Sequence, residues 1–201
     1  MRSLTWAQVW GRRLARHALL TPRPKTDLVE TVRTVGGIHA QMMSAAEPSI
    51  GIRVAGVTRE DVRTELWQRR GLVKTYGLRG TVHLFPADEA PLWAAALRAH
   101  PARGEARRLE QRGLDSARLE TLLTAIGEAL DGRRLTREQL GEEVARRTGA
   151  WAMDPVSPSF GGQAPRWQNA IGPAANAGLL CFGPAQGNKV TFVRADQWLG
   201  G

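Results

Sequence analysis

His39 and Gln41 flank one small apolar residue in Gly37-Ile-His-Ala-Gln-Met42. In an extended segment, side chains two residues apart project from one face, with their bases roughly 6–7 Å apart. An imidazole and a carboxamide at that spacing could grip one water, or one sugar–base unit, between them. Neutral imidazole could also take a proton near pH 7, which an amide could not. The plainer reading of X-Ala-Gln after a helix is a loop. A second polar group lies in Thr75-Tyr-Gly-Leu-Arg-Gly-Thr-Val-His83. Thr81 and His83 share one face of an expected strand, and Lys74 and Arg79 add positive charge. That set suits phosphate contact or, equally, cross-strand pairing within a sheet. The acidic pairs Glu60-Asp61, Asp88-Glu89 and Glu142-Glu143 fall in or near expected first helical turns, where they complement the helix dipole. His17 and His100 sit at helix ends beside arginines and take no role.

The elements that must position these groups follow from periodicity and caps. Thr5-Trp-Ala-Gln8 has capping-box form and opens a helix with Trp6, Val9, Trp10 and Leu14 on one face. Asp27 starts a second helix through Leu28, Val32 and Val35, stopped by Gly36-Gly37. Residues 38–44 read as a short irregular stretch, and Pro48-Ser49 as the start of a brief helix toward Val54. Thr58-Arg-Glu-Asp61 caps a helix with Val62 and Leu66 inward. Residues 72–78 and 81–85 alternate as a hairpin joined through Arg79-Gly80, and Asp88 returns the chain to helix.

The second half repeats the plan. Leu119, Leu122, Leu123, Ile126 and Leu130 form a helical stripe, and Thr136-Arg-Glu-Gln139 is a further capping box. A Pro/Gly/Ser-rich loop is expected over 151–162, then a helix opened by Pro165 and interrupted by Gly172-Pro173. Leu179–Phe182 and Lys189–Val193 make a second hairpin around Pro184–Asn188. The fold class is therefore mainly α with small β-hairpins (α+β), in two tandem winged-helix units, residues 1–100 and 101–201. In such a unit the third helix usually enters a DNA groove and the hairpin touches the backbone. A generic small α+β domain is the alternative for either unit alone.

Composition narrows the function classes. The chain has 201 residues, with 28 Lys and Arg against 19 acidic residues and a net charge of +9. That excess favours a polyanionic partner, most often nucleic acid. Residues 1–100 hold 15 of the cations against 8 carboxylates, so the first half should carry more of any anion-binding surface. Cys181 is the only cysteine, which excludes an intramolecular disulfide and any cysteine-based zinc cage. No run approaches a membrane span and the N-terminus is not a signal peptide, so a cytoplasmic protein without membrane partners is expected. Phosphate-loop, dinucleotide, HExxH and nucleophile-elbow signatures are absent from the sequence. No metal or organic cofactor is called for.

His39-Ala40-Gln41 after Gly36-Gly37, followed by Arg79-Gly80-Thr81-Val82-His83-Leu84, resembles the winged-helix DNA glycosylases typified by AlkZ and YcaQ. Gly178-Leu-Leu-Cys-Phe-Gly183 and Phe192-Val-Arg-Ala-Asp196 are similar to that family's second winged helix. The resemblance spans nearly the whole chain. It implies that a Gln-apolar-Gln or Gln-apolar-Asp motif carries catalysis, here with His39 in the first position; the final Gln41 favours the AlkZ-like branch. It also implies a third winged helix and a C-terminal β-barrel, which the sequence lacks, so the chain looks like an N-terminal half. The expected activity is that of a monofunctional DNA glycosylase, hydrolysing the N-glycosidic bond of N7-alkylated purines. Its substrate would be double-stranded DNA carrying alkylated bases. His39 and Gln41 would place the attacking water, while Lys74, Arg79, Thr81 and His83 hold the DNA. Two other readings remain. One is a non-catalytic DNA-binding protein contacting DNA through Arg166, Gln168 and Asn169, such as a regulator or truncated paralogue. The other is a structural partner in a larger assembly. Oligomeric state is not legible in the sequence.

Overall fold

The computed structural model describes residues 3–101, 104–159 and 162–200. The chain is mainly helical with small antiparallel sheets, and it divides into two compact units, Met1–Lys74 with Thr81–Glu89, and Thr75–Gly80 with Ala90–Gly201. The second unit thus includes the tip of the first hairpin and the helix that begins at Ala90.

In the first unit, α1 (Trp6–Arg16) starts at a complete capping box between Thr5 and Gln8. Its apolar stripe stays bare, with Trp6 73% and Trp10 54% exposed. Helix α2 (Leu28–Val35) ends at Gly36, whose left-handed φ of +76° closes the last turn. Strand β1 (Ile38–His39) follows at once, then α3 (Met43–Gly51) and α4 (Arg59–Trp67), the latter capped by Thr58 and Asp61. Strands β2 (Leu72–Tyr76) and β3 (Val82–Pro86) complete a sheet in the order β1-β3-β2. Its core gathers Leu28 and Val32 of α2, Ile38 and Ala40, Ala46 and Ile50 of α3, Val62 and Leu66 of α4, and Leu72 and Leu84 of the hairpin.

Helix α3 begins at Met43, earlier than the expected start at Pro48, and carries that proline inside. Burial of Ala46 and Ile50 outweighs the one backbone donor the proline removes. Glu47, also buried, is held by Arg63 at 2.9 Å and Arg59 at 3.5 Å, which ties α3 to α4.

The second unit runs α5 (Ala90–Ala99), α6 (Glu105–Gln111), α7 (Ser116–Ala129), β4 (Leu135–Thr136) and α8 (Arg137–Thr148). Strands β5 (Pro155–Ser159) and β6 (Gly162–Pro165) follow, then a 3-10 turn over Arg166–Ala170 leading into α9 (Ile171–Asn176). Strands β7 (Cys181–Gln186) and β8 (Lys189–Val193) and α10 (Ala195–Leu199) end the described chain. The sheet order β4-β8-β7 repeats that of the first unit: helix, edge strand, two helices, hairpin.

Three expectations are corrected here. The loop expected at 151–162 is largely the β5–β6 hairpin, pinned by Ser157 Oγ donating to Asn169 and by the Arg166–Asp154 ion pair; its residues 160 and 161 lie outside the described set. Strand β7 runs through Pro184 to Gln186, because it is an edge strand whose irregular register after Gly183 tolerates a residue without an N–H. Glu143 lies beyond the first turn of α8, and its nearest company is cationic. Arg146, Arg147 and Arg133 surround its carboxylate. Gly172-Pro173 lie in the first turn of α9, and the change from 3-10 turn to α-helix falls just before them, between Ala170 and Ile171.

Hydrogen bonds from Arg146 and Arg147, with Arg133 behind them, hold Glu143 down to about 2. Lys25 and the Thr58 cap do the same for Asp61. Both groups are ionised in the native state at pH values where the unfolded chain protonates its carboxylates, near ~4. Their stabilisation is complete above about pH 5 and drains as the pH falls toward 2. Glu143→Gln is expected to lower the melting temperature at pH 7 and to narrow the loss between pH 7 and pH 3, as measured by circular dichroism melts at both pH values. Gly37 combines a φ of +98° with the closest approach in the unit, since an added Cβ would lie 2.5 Å from Cε1 of Phe85. Gly37→Ala is expected to cost about 2 kcal/mol or more in urea unfolding.

Candidate functional site

The segment 38–41 alternates strictly: Ile38 and Ala40 are buried, His39 and Gln41 exposed. The alternation arises because the segment pairs with β3, Ile38 opposite Leu84 and His39 opposite His83, and the Ala40 N–H donates to the Val82 carbonyl at 2.7 Å. Ile38 and Ala40 enter the core, so His39 and Gln41 are turned to the other face together. The loop reading of the tripeptide thus gives way to a short paired segment.

Gln41 reaches across to β3. Its Oε1 accepts from the Val82 N–H at 3.3 Å, which fixes the amide orientation and leaves its NH2 group unpartnered among the described residues. His39 and His83 meet edge to face with ring centroids 5.4 Å apart. The His83 Nδ1 lies 3.0 Å from the Thr81 carbonyl, and its ring stacks on Phe85 at 5.6 Å. A carbonyl oxygen only accepts, so Nδ1 carries the proton. Burial, with a smaller contribution from His39, pushes the His83 pKa down from its ordinary value, against the Thr81 bond that pulls it up. Gly37 admits the Phe85 ring that backs His83. Lys74, on β2 of the same sheet, is half-buried, and burial lowers its pKa too.

Three carboxylates of this unit share one arginine. Arg33 binds Glu89 at 2.7 Å and Asp88 at 2.9 Å while also pairing with Glu30. Among the described residues no group of three or more His, Cys, Asp or Glu side chains could hold a metal ion.

The remaining sequence-selected residues belong to the second unit. Arg79 is exposed at the hairpin tip, in a left-handed conformation at φ +61°, and makes no hydrogen bond or ion pair among the described residues. The tip is anchored by Tyr76, which stacks on Phe182 at 5.8 Å. Gln168, its amide free among the described residues, lines a cleft of about 660 Å³ with Arg79 and Asn169. Arg166 is spent inside the fold, on the carbonyls of Trp151 and Arg112 and on Asp154. Asn169 is likewise engaged, by Arg112, Ser157 and the Arg166 carbonyl. Arg108 and Arg112, which line the same cleft, were missed in the sequence, and His100 beside them was given no role there. The four-residue spacing of the two arginines, which puts both on one helical face, is the signal that could have found them.

Among the described residues, no helix is long and apolar enough to cross a membrane. Comparison with known proteins then gives a consistent picture. A family model described as DNA glycosylase AlkZ-like matches residues 32–201. A curated interstrand DNA cross-link repair glycosylase of Streptomyces sahachiroi is 29% identical over 189 residues, covering 94% of this chain and 49% of that protein. The solved structure of Streptomyces sahachiroi DNA glycosylase AlkZ superposes with a TM-score of 0.78 at 26% identity, covering 99% of this chain and 52% of that one. The chain therefore spans about half the length of the relatives it matches. The matched span contains the paired segment and all three sheets of the described residues, and on that breadth of agreement the chain belongs to the AlkZ-like DNA glycosylase family.

Proposed function

We propose that this chain acts in DNA repair as a glycosylase, hydrolysing the N-glycosidic bond of N7-alkylated purines in double-stranded DNA. Each unit serves as a winged helix, and the protein works in the cytoplasm. The observation that carries the reading is the outward pair His39 and Gln41, displayed on one face because Ile38 and Ala40 are locked in the core.

The chemistry suits such a pair. N7-alkylated guanine is cationic and already a good leaving group, so little acid catalysis is needed. What the site supplies is a positioned water and stabilisation of positive charge growing on the sugar. The free NH2 of Gln41 orients the water oxygen, and His39 shares that water or contacts the deoxyribose. Lys74, Arg79, Thr81 and His83 are the proposed contacts to the DNA in and beside the first hairpin. In the second unit Gln168 offers a free amide, whereas Arg166 and Asn169 would have to release contacts within the fold to reach a base or phosphate. Bulky N7 adducts leave without complete base flipping in this reading.

The test is single-turnover incubation with a duplex carrying one N7-methylguanine, scored for abasic sites. The unmodified chain is expected to excise, and Gln41→Ala to lose about 10²-fold in rate with duplex affinity retained. Salt-sensitive duplex binding with no excision would instead support a non-catalytic DNA-binding module. Absence of binding at low salt would leave only a role in a larger assembly.

A further inference from the structure

A hydrolytic site needs an acceptor for the proton that the attacking water gives up. The second member of the exposed pair is poorly placed to be that acceptor. Gln41 Oε1 already receives the Val82 N–H, and the group it leaves free is the NH2, a donor. His39 is exposed, and neither of its ring nitrogens has a hydrogen-bond partner among the described residues, so nothing in the fold fixes its tautomer. His83 differs on each point. Its ring is held between the Thr81 carbonyl and Phe85, its proton is confined to Nδ1, and its Nε2 is left as a lone pair with no partner among the described residues. It sits directly across the strand pair from His39, on the same face. Acceptors fixed before the reaction cost no reorganisation during it.

We infer that His83 is a catalytic residue of this site, its Nε2 taking the proton of the attacking water while His39 and Gln41 hold that water against the sugar. The inference rests on the glycosylase reading above and, for His83, replaces the DNA contact proposed there with the role of proton acceptor. In the step, the water oxygen forms a bond to C1′ as the C1′–N9 bond breaks. The electron pair of that bond goes to the base, which leaves neutral. The water proton goes to Nε2, and the resulting imidazolium, still donating from Nδ1 to Thr81, returns the proton to solvent. The lowered pKa keeps the ring neutral and ready to accept at pH 7.

Two measurements test this. Nitrogen-15 NMR of the full chain at pH 7.5 is expected to show His83 as the Nδ1–H tautomer; an Nε2–H tautomer overturns the inference without reference to activity. Single-turnover excision of N7-methylguanine is expected to fall at least tenfold in His83→Gln, with duplex affinity within about twofold. His83→Phe, which keeps the stacking on Phe85, is expected to show the same split. A loss of affinity with an unchanged excision rate would make His83 a DNA contact and overturn the inference. So would equal rates in His83→Gln and the unmodified chain, and in both cases the glycosylase reading stands. No excision by the unmodified chain would remove that reading and the inference with it.

Discussion

The site depends on the burial of Ala40. This one residue, fully buried in the same core as Leu28, Val32, Ile50 and Leu84, fixes which way its neighbours face. Strand geometry has a period of two, so a slip of one residue would bury the imidazole and the carboxamide and expose two apolar side chains. The slip is resisted three ways: the pairing of Ile38 with Leu84, the Ala40–Val82 hydrogen bond, and the left-handed Gly36 that ends α2 immediately before. Helix α3, anchored to α4 through Glu47, closes the segment from the other side.

A second constraint is the distribution of charge. The protein carries a large excess of arginine, yet several carboxylates are clamped by guanidinium groups: Asp88 and Glu89 by Arg33, Glu47 by Arg59 and Arg63, Glu143 by three arginines. Carboxylates bound in this way are poor bases, since their oxygens are already committed to guanidinium donors. Imidazole is what remains at the paired segment for proton transfer near neutral pH. That choice fits the proposed N7-alkylated substrate, whose base already bears positive charge, so that a nucleophilic carboxylate is unnecessary.

Much of this was legible in the sequence because it is local. The capping boxes at Thr5, Thr58 and Thr136 involve residues three apart, and all three form. The shared face of His39 and Gln41 was legible only on the condition that the segment is extended, a condition that its long-range pairing with β3 supplies. What escaped was long-range. Pro48 marks a helix start by local rules, but Ala46 and Ile50 pull the helix back to Met43. Arg166 looks available beside Gln168, yet carbonyls 15 and 54 residues away consume it. The Gln41–Val82 bond, which decides which end of the amide is free, joins residues 41 apart. No short window contains that information.

The central claim is that His39 and Gln41 together face a sugar on which positive charge develops. Equilibrium binding to duplexes bearing a cationic 1-azasugar, against the same duplexes bearing uncharged tetrahydrofuran, tests it most directly. A site built for that charge binds the azasugar more tightly, on the order of 10²-fold, and loses the preference when Gln41 is replaced by alanine. Equal affinity for the two duplexes, or a preference that survives the replacement, would contradict the account.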